Sequence, residues 1–126
     1  MRIPALLAAV ALGLAIPAAL LAHVAVTGAT PAAGSTVKTT KTITLAFDKP
    51  VDQSTAAASI VMTAMPGMPN HGEMLIRNFT TNWSPDRRTL TLKLPNALPK
   101  GTYEVRWQAA DADGHALTGV VNFKVA

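Results

Sequence analysis

Apolar and polar residues alternate along most of this chain with a period of two, which is the pattern of half-buried β-strands. Residues 41–48 put Ile43, Leu45 and Phe47 on one face and Thr42, Thr44 and Ala46 on the other. Residues 88–94 repeat the pattern, with Leu90, Leu92 and Leu94 inward. Residues 102–109 set Tyr103, Val105, Trp107 and Ala109 against Glu104, Arg106 and Gln108. Residues 117–125 close the chain with Val121, Phe123 and Val125 in phase. A short strand is expected at 75–80. Residues 56–63 carry Ile60 and Val61 among alanines, and their period fits a helix or a strand. A short apolar run at 24–26 is followed by Gly28, Pro31 and Gly34 as turn punctuation. Turns are expected at 82–87, at 95–101 and at the Asp-Gly of 111–115. About seven short segments at a spacing of roughly 8–12 residues predict an all-β domain, an antiparallel sandwich or small barrel.

The first residues follow a different pattern. Arg2 precedes an apolar run over 3–21 and then Ala22, the layout of a secretory signal. The run is long enough to span a membrane. Pro4, Gly13 and Pro17 interrupt it, however, and no charged flank follows. The expectation is therefore a cleaved signal at 1–22 and one β domain at 23–126. Cleavage after Ala22 would make His23 the mature N-terminus, although Leu20 is large for the position it would hold in the cleavage site.

Composition then narrows the function classes. The chain of 126 residues carries a net charge of +4, with basic residues scattered and only Arg87 and Arg88 adjacent. That lacks the basic stripe of a nucleic-acid-binding protein. There is no cysteine. A disulfide framework, a thiolate zinc site and a blue-copper site are thereby excluded. No serine has a nucleophile context, and no glycine loop suits a phosphate. Asp111 and Asp113 lie two apart, but they read as a solvated turn rather than a glycosidase pair.

Two groups of residues carry candidate chemistry. Every methionine but the initiator falls within residues 62–74, as Met62, Met65, Met68 and Met74. His71 fills the one gap in a spacing of three. Thioethers are soft, uncharged donors that select Cu(I). Pro66, Gly67, Pro69 and Gly72 argue against a helix. A segment near polyproline II has three residues per turn and would align all five side chains. The plainer reading is methionine as flexible core filler. The second group is His23, Asp113 and His115. A free N-terminal histidine offers its α-amine and its ring, and the amine deprotonates at modest cost. With His115 and Asp113 it makes three nitrogens and one oxygen, a tetragonal set that suits Cu(II).

These residues give the chain a resemblance to the CopC/PcoC family of periplasmic copper-resistance proteins. It runs through His23, residues 30–34, the methionine stretch 60–68, residues 101–107, Asp113-Gly114-His115 and Gly119. The resemblance implies a small Greek-key β-sandwich or barrel, immunoglobulin-like and cupredoxin-like, with copper sites at opposite ends. It implies Cu(I) at Met62, Met65, Met68, His71 and Met74, and Cu(II) at His23, Asp113 and His115. It further implies a monomeric, non-enzymatic periplasmic copper carrier that exchanges the ion with a membrane importer or a copper oxidase. Two departures stand out. Lys49 occupies the position of a weak glutamate ligand of some members, with Asp48 beside it. The stretch from Met68 to His71 is one residue longer than in other members. The competing readings are a histidine-brace copper oxidase or monooxygenase, and an immunoglobulin-like interaction module without metal.

Overall fold

The computed structural model describes residues 25–68 and 72–126. The expected signal and its cleavage site, together with His23 and His71, lie outside them. The described residues form two sheets. One holds β1 (Val26–Thr30), β3 (Thr42–Phe47), β7 (Thr89–Lys93) and β6 (Thr80–Trp83), in the order β1-β3-β7-β6. The other holds β2 (Ser35–Val37), β9 (Ala116–Val125), β8 (Gly101–Ala110), β4 (Ala57–Ala64) and β5 (Met74–Ile76), in the order β2-β9-β8-β4-β5. Every pairing is antiparallel except β2 with β9. The sheets remain separate and do not close into a barrel.

The period-two pattern becomes the core. Ile43, Leu45 and Phe47 of β3 face Ile60 of β4, Tyr103, Val105 and Trp107 of β8 and Phe123 of β9, all buried. Phe47 links the sheets through an edge-on contact with Trp107, centroids 5.3 Å apart. Tyr103 and Phe123 stack at 5.5 Å. The tyrosine hydroxyl donates to the Pro99 carbonyl, and burial pushes its pKa up to about 12.

The four strongest alternating segments all form strands close to their expected bounds. The ambiguous alanine-rich segment is also a strand, because β8 pairs with it from Ala57↔Gln108 to Ala64↔Thr102. One expectation is corrected. Residues 75–80 are not a single strand: β5 pairs with β4 in one sheet, and β6 pairs with β7 in the other. Arg77, Asn78 and Phe79 carry the chain between the sheets, and a single apolar pattern cannot report a change of partner. β6 also continues through Trp83, so the turn expected at 82–87 starts later. It closes with Arg87 N–H donating to Ser84 O at 2.9 Å. Nine strands among the described residues thus replace about seven, and β1 and β2 are drawn from the segment that read mainly as turns.

β8 is the axis on which the two candidate centres are placed. Its ten residues extend roughly 30 Å at the usual rise of a strand. Gly101 lies at the methionine end and Ala110 at the end that carries Asp113 and His115. Among the described residues no helix is long and apolar enough to cross a membrane.

Candidate metal centres

The connection from β8 to β9 holds Asp111, Asp113 and His115. It is a tight loop: Gly114 N–H donates to Asp111 O at 3.0 Å, and Asp111 N–H donates to His115 O at 3.2 Å. Gly114 has φ of 83°, a left-handed conformation that a side chain would resist. Each of the three side chains offers one donor atom, and these atoms lie within 4.8 Å of one another. Asp113 and His115 are exposed.

Asp111 was not expected to take part. It is only 7% exposed, so the reading of a wholly solvated turn is corrected. Its Oδ1 accepts from the backbone N–H of Asp113 at 2.9 Å and of His115 at 3.0 Å. Its Oδ2 lies 3.4 Å from His115 Nδ1. Burial pushes the Asp111 carboxyl up, but the two backbone bonds and the His115 ring outweigh it and hold it below its ordinary value. The sequence carried a signal for this. Tyr103, Val105, Trp107, Ala109 and Asp111 share one phase, so the strand pattern already pointed Asp111 inward.

Ala25, the first described residue, lies at the same end of the sandwich. Asp48 holds Ala25 twice: Asp48 N–H donates to Ala25 O, and Ala25 N–H donates to Asp48 Oδ1, both at 2.9 Å. Arg88 Nη1 donates to the Asp48 carbonyl at 3.1 Å. Ala25, Val26, Leu117 and Gly119 line one cleft beside Trp107. Leu117 also lines the adjoining cleft with Gly114 and Ala110. The chain is therefore anchored one residue after Val24, beside the loop that carries Asp113 and His115. The Asp48 carboxylate, which could have replaced the missing glutamate, is bonded to Ala25. Lys49 is half-buried. Gly119 keeps this end compact, since a Cβ there would come within 2.5 Å of the Trp107 ring.

The methionine end offers thioethers in place of carboxylate and imidazole among its described residues 62–68. Met62 is 3% exposed and belongs to the core, with its methyl 3.1 Å from where a Gly101 Cβ would stand. It sits directly opposite Met74 in the β4–β5 ladder, and opposed residues share one face of a sheet. Met65 is half-buried against the core. Met68 and Met74 are 55% and 49% exposed. Met65-Pro66-Gly67-Met68 is a tight turn, with Met68 N–H donating to Met65 O at 3.0 Å and Gly67 at φ of 78°. Proline second and a left-handed glycine third is the type II arrangement.

Among the described residues the methionines thus fall on two paired strands and on a turn between them, not in a polyproline row. This arrangement brings Met65 to Met68 and Met62 to Met74. Beyond the turn, Arg106 on β8 grips Glu73 at both carboxylate oxygens, at 3.2 and 2.6 Å, and Glu104 at 3.0 Å. The Arg106 hydrogen bonds hold the Glu73 carboxyl below its usual value.

A two-sheet sandwich with thioethers at one end and a carboxylate–imidazole loop at the other is a metal-handling β domain. The CopC domain family matches residues 26–126, and the chain belongs to that family. It is 36% identical over 115 residues to copper resistance protein C of Pseudomonas syringae pv. tomato, covering 91% of this chain and 90% of that one. It is 30% identical over 105 residues to copper resistance protein C of Escherichia coli, covering 83% and 82%. The crystal structure of PcoC, a methionine-rich copper resistance protein from Escherichia coli, superposes with a TM-score of 0.73 at 28% identity, over 82% of this chain and 99% of that chain.

Proposed function

We propose that the protein is a periplasmic copper carrier with two centres divided by oxidation state. The observation that carries the proposal is the chemical contrast between the ends of β8. Three carboxylate and imidazole donors converge within 4.8 Å at one end, and the methionines gather at the other. Met65, Met68 and Met74 are the accessible soft donors for Cu(I), with His71 in the same loop and Met62 beneath them. His23, Asp113 and His115 form the Cu(II) centre, with the α-amine of His23 available once residues 1–22 are removed. The Asp48–Ala25 bonds support this by fixing Ala25, two residues after His23 in the sequence, at that end.

Copper is the cargo. Reduction or oxidation moves its preferred centre instead of releasing it, because thioethers favour Cu(I) and nitrogen with carboxylate favours Cu(II). A membrane importer or periplasmic copper oxidase is the natural recipient or donor. The test is to titrate the mature protein with Cu(I) and Cu(II) separately. One equivalent of each should bind. His115→Ala should impair Cu(II) and spare Cu(I), and Met65→Ile with Met68→Ile should do the reverse. Failure to bind either ion stoichiometrically would remove the proposal, and equal loss of both ions in each variant would remove the division between centres.

A further inference from the structure

We propose that Asp111 is the positioning residue of the carboxylate–imidazole centre, holding the His115 ring at Nδ1 so that Nε2 carries the lone pair offered to a divalent copper ion. This deepens the reading of Asp113 and His115 as Cu(II) ligands and rests on it.

Asp111 is the sole buried charged residue among the described residues. A buried carboxylate must have its oxygens satisfied. Oδ1 is satisfied by the backbone N–H groups of Asp113 and His115. Both candidate ligands therefore hang from one oxygen, and their backbone is set before any ion arrives. Oδ2 is left facing His115 Nδ1 at 3.4 Å. An ionised carboxylate only accepts hydrogen bonds, so this contact is favourable when Nδ1 bears the proton. A neutral imidazole protonated at Nδ1 is unprotonated at Nε2. Metal-binding histidines are commonly oriented in this way, by an acceptor on the ring nitrogen that does not ligate. Direct ligation by Asp111 is disfavoured. Oδ1 already accepts two bonds, and turning Oδ2 to a metal would give up the ring contact.

Asp111→Asn tests the assignment. The asparagine oxygen must remain at the Oδ1 position, because a flipped amide would set its NH₂ against two backbone donors. Its NH₂ then faces His115 Nδ1, which can only accept if the proton moves to Nε2. Long-range ¹⁵N–¹H NMR of the metal-free mature protein, at a pH that keeps the ring neutral, reads the tautomer directly. The wild type should show His115 protonated at Nδ1, and the variant should shift it to Nε2. Cu(II) binding should weaken by about 10- to 100-fold, the usual cost of removing such a partner, with a changed Cu(II) EPR spectrum and unchanged Cu(I) affinity. An Nε2-protonated ring in the wild type would overturn the proposal, whatever the variant does. So would a variant whose tautomer and Cu(II) affinity both stay as in the wild type. If Asn disrupts the loop, the wild-type tautomer decides alone. If the wild type has the assigned tautomer yet binds no Cu(II), the loop geometry stands and the copper reading of that end falls.

Discussion

The two ends of β8 solve the same problem, holding several donors together, by different physical means. At the Asp113/His115 end the donors are polar and directional. Their backbone is placed by hydrogen bonds to Asp111, and Asp48 fixes Ala25 at the same end. At the methionine end the donors are thioethers, which are weak acceptors that no hydrogen-bond network orients. Their placement comes from backbone shape and packing: the Met62↔Met74 ladder pair, the Pro66-Gly67 turn and the core around Met62. The harder centre should therefore respond to lost hydrogen bonds, and the softer one to lost shape.

Four experiments would break or sharpen that contrast. The largest effect is expected at Met62. Met62→Ala should lower the unfolding free energy by about 2–5 kcal/mol, as for other truncated core side chains. Met62→Leu should cost less than about 1.5 kcal/mol, since volume is conserved. Chemical denaturation gives both values, and Cu(I) titration of Met62→Leu then separates packing from ligation. A large drop in Cu(I) affinity with stability intact makes the Met62 sulfur a ligand. No drop makes it the floor beneath Met65, Met68 and Met74.

Next in size is a change at the mature N-terminus. One extra residue before His23 turns its amine into an amide. Cu(II) affinity should fall by more than about 100-fold, beyond the cost of losing an outer partner. Competition titration measures it, and an unchanged affinity would take His23 out of the centre. Asp48→Ala comes third. It frees Ala25 without touching a proposed ligand, and Cu(II) affinity should drop by about 10-fold while Cu(I) binding holds. A loss shared equally by both ions would show that Asp48 supports the whole sandwich and not one end.

The smallest effect is confined to alkaline solution. Tyr103 is the chain's one tyrosine and lies opposite Met62 in the β4–β8 ladder. Its pKa is raised to about 12 from an ordinary 10.0. The neutral form is favoured in the folded state, so this contribution is complete below pH 10 and drains away as pH rises from about 10 to about 12. Tyrosinate absorbance and unfolding should advance together through that window. Titration at the ordinary value with no loss of structure would mean that the aromatic floor of the methionine end is open to solvent.

Much of this protein was legible in the order of its residues. Strand identity followed from the period-two pattern because one buried face fixes which side chains point inward. β3, β7, β8 and β9 all carry that pattern strongly. The donor types were equally legible, since methionine, histidine and aspartate declare their ligand chemistry wherever they lie. Even the burial of Asp111 was written in the phase of β8, although its charge hid it.

Other features depend on partners distant in the chain, and only the tertiary structure decides them. The alanine-rich segment became β4 because β8 lies beside it. Residues 75–80 divided between two sheets because two different strands claim them. Met62 left the row of exposed methionines because it shares a ladder and a core, which no local spacing encodes. The roles of Asp48 and Asp111 rest on hydrogen bonds whose geometry exists only once the sheets have brought Ala25 to Asp48 and closed the loop over Asp111. Composition and period thus determined which chemistry this chain can offer. Long-range pairing decided which of those side chains are buried in the fold and which are left exposed.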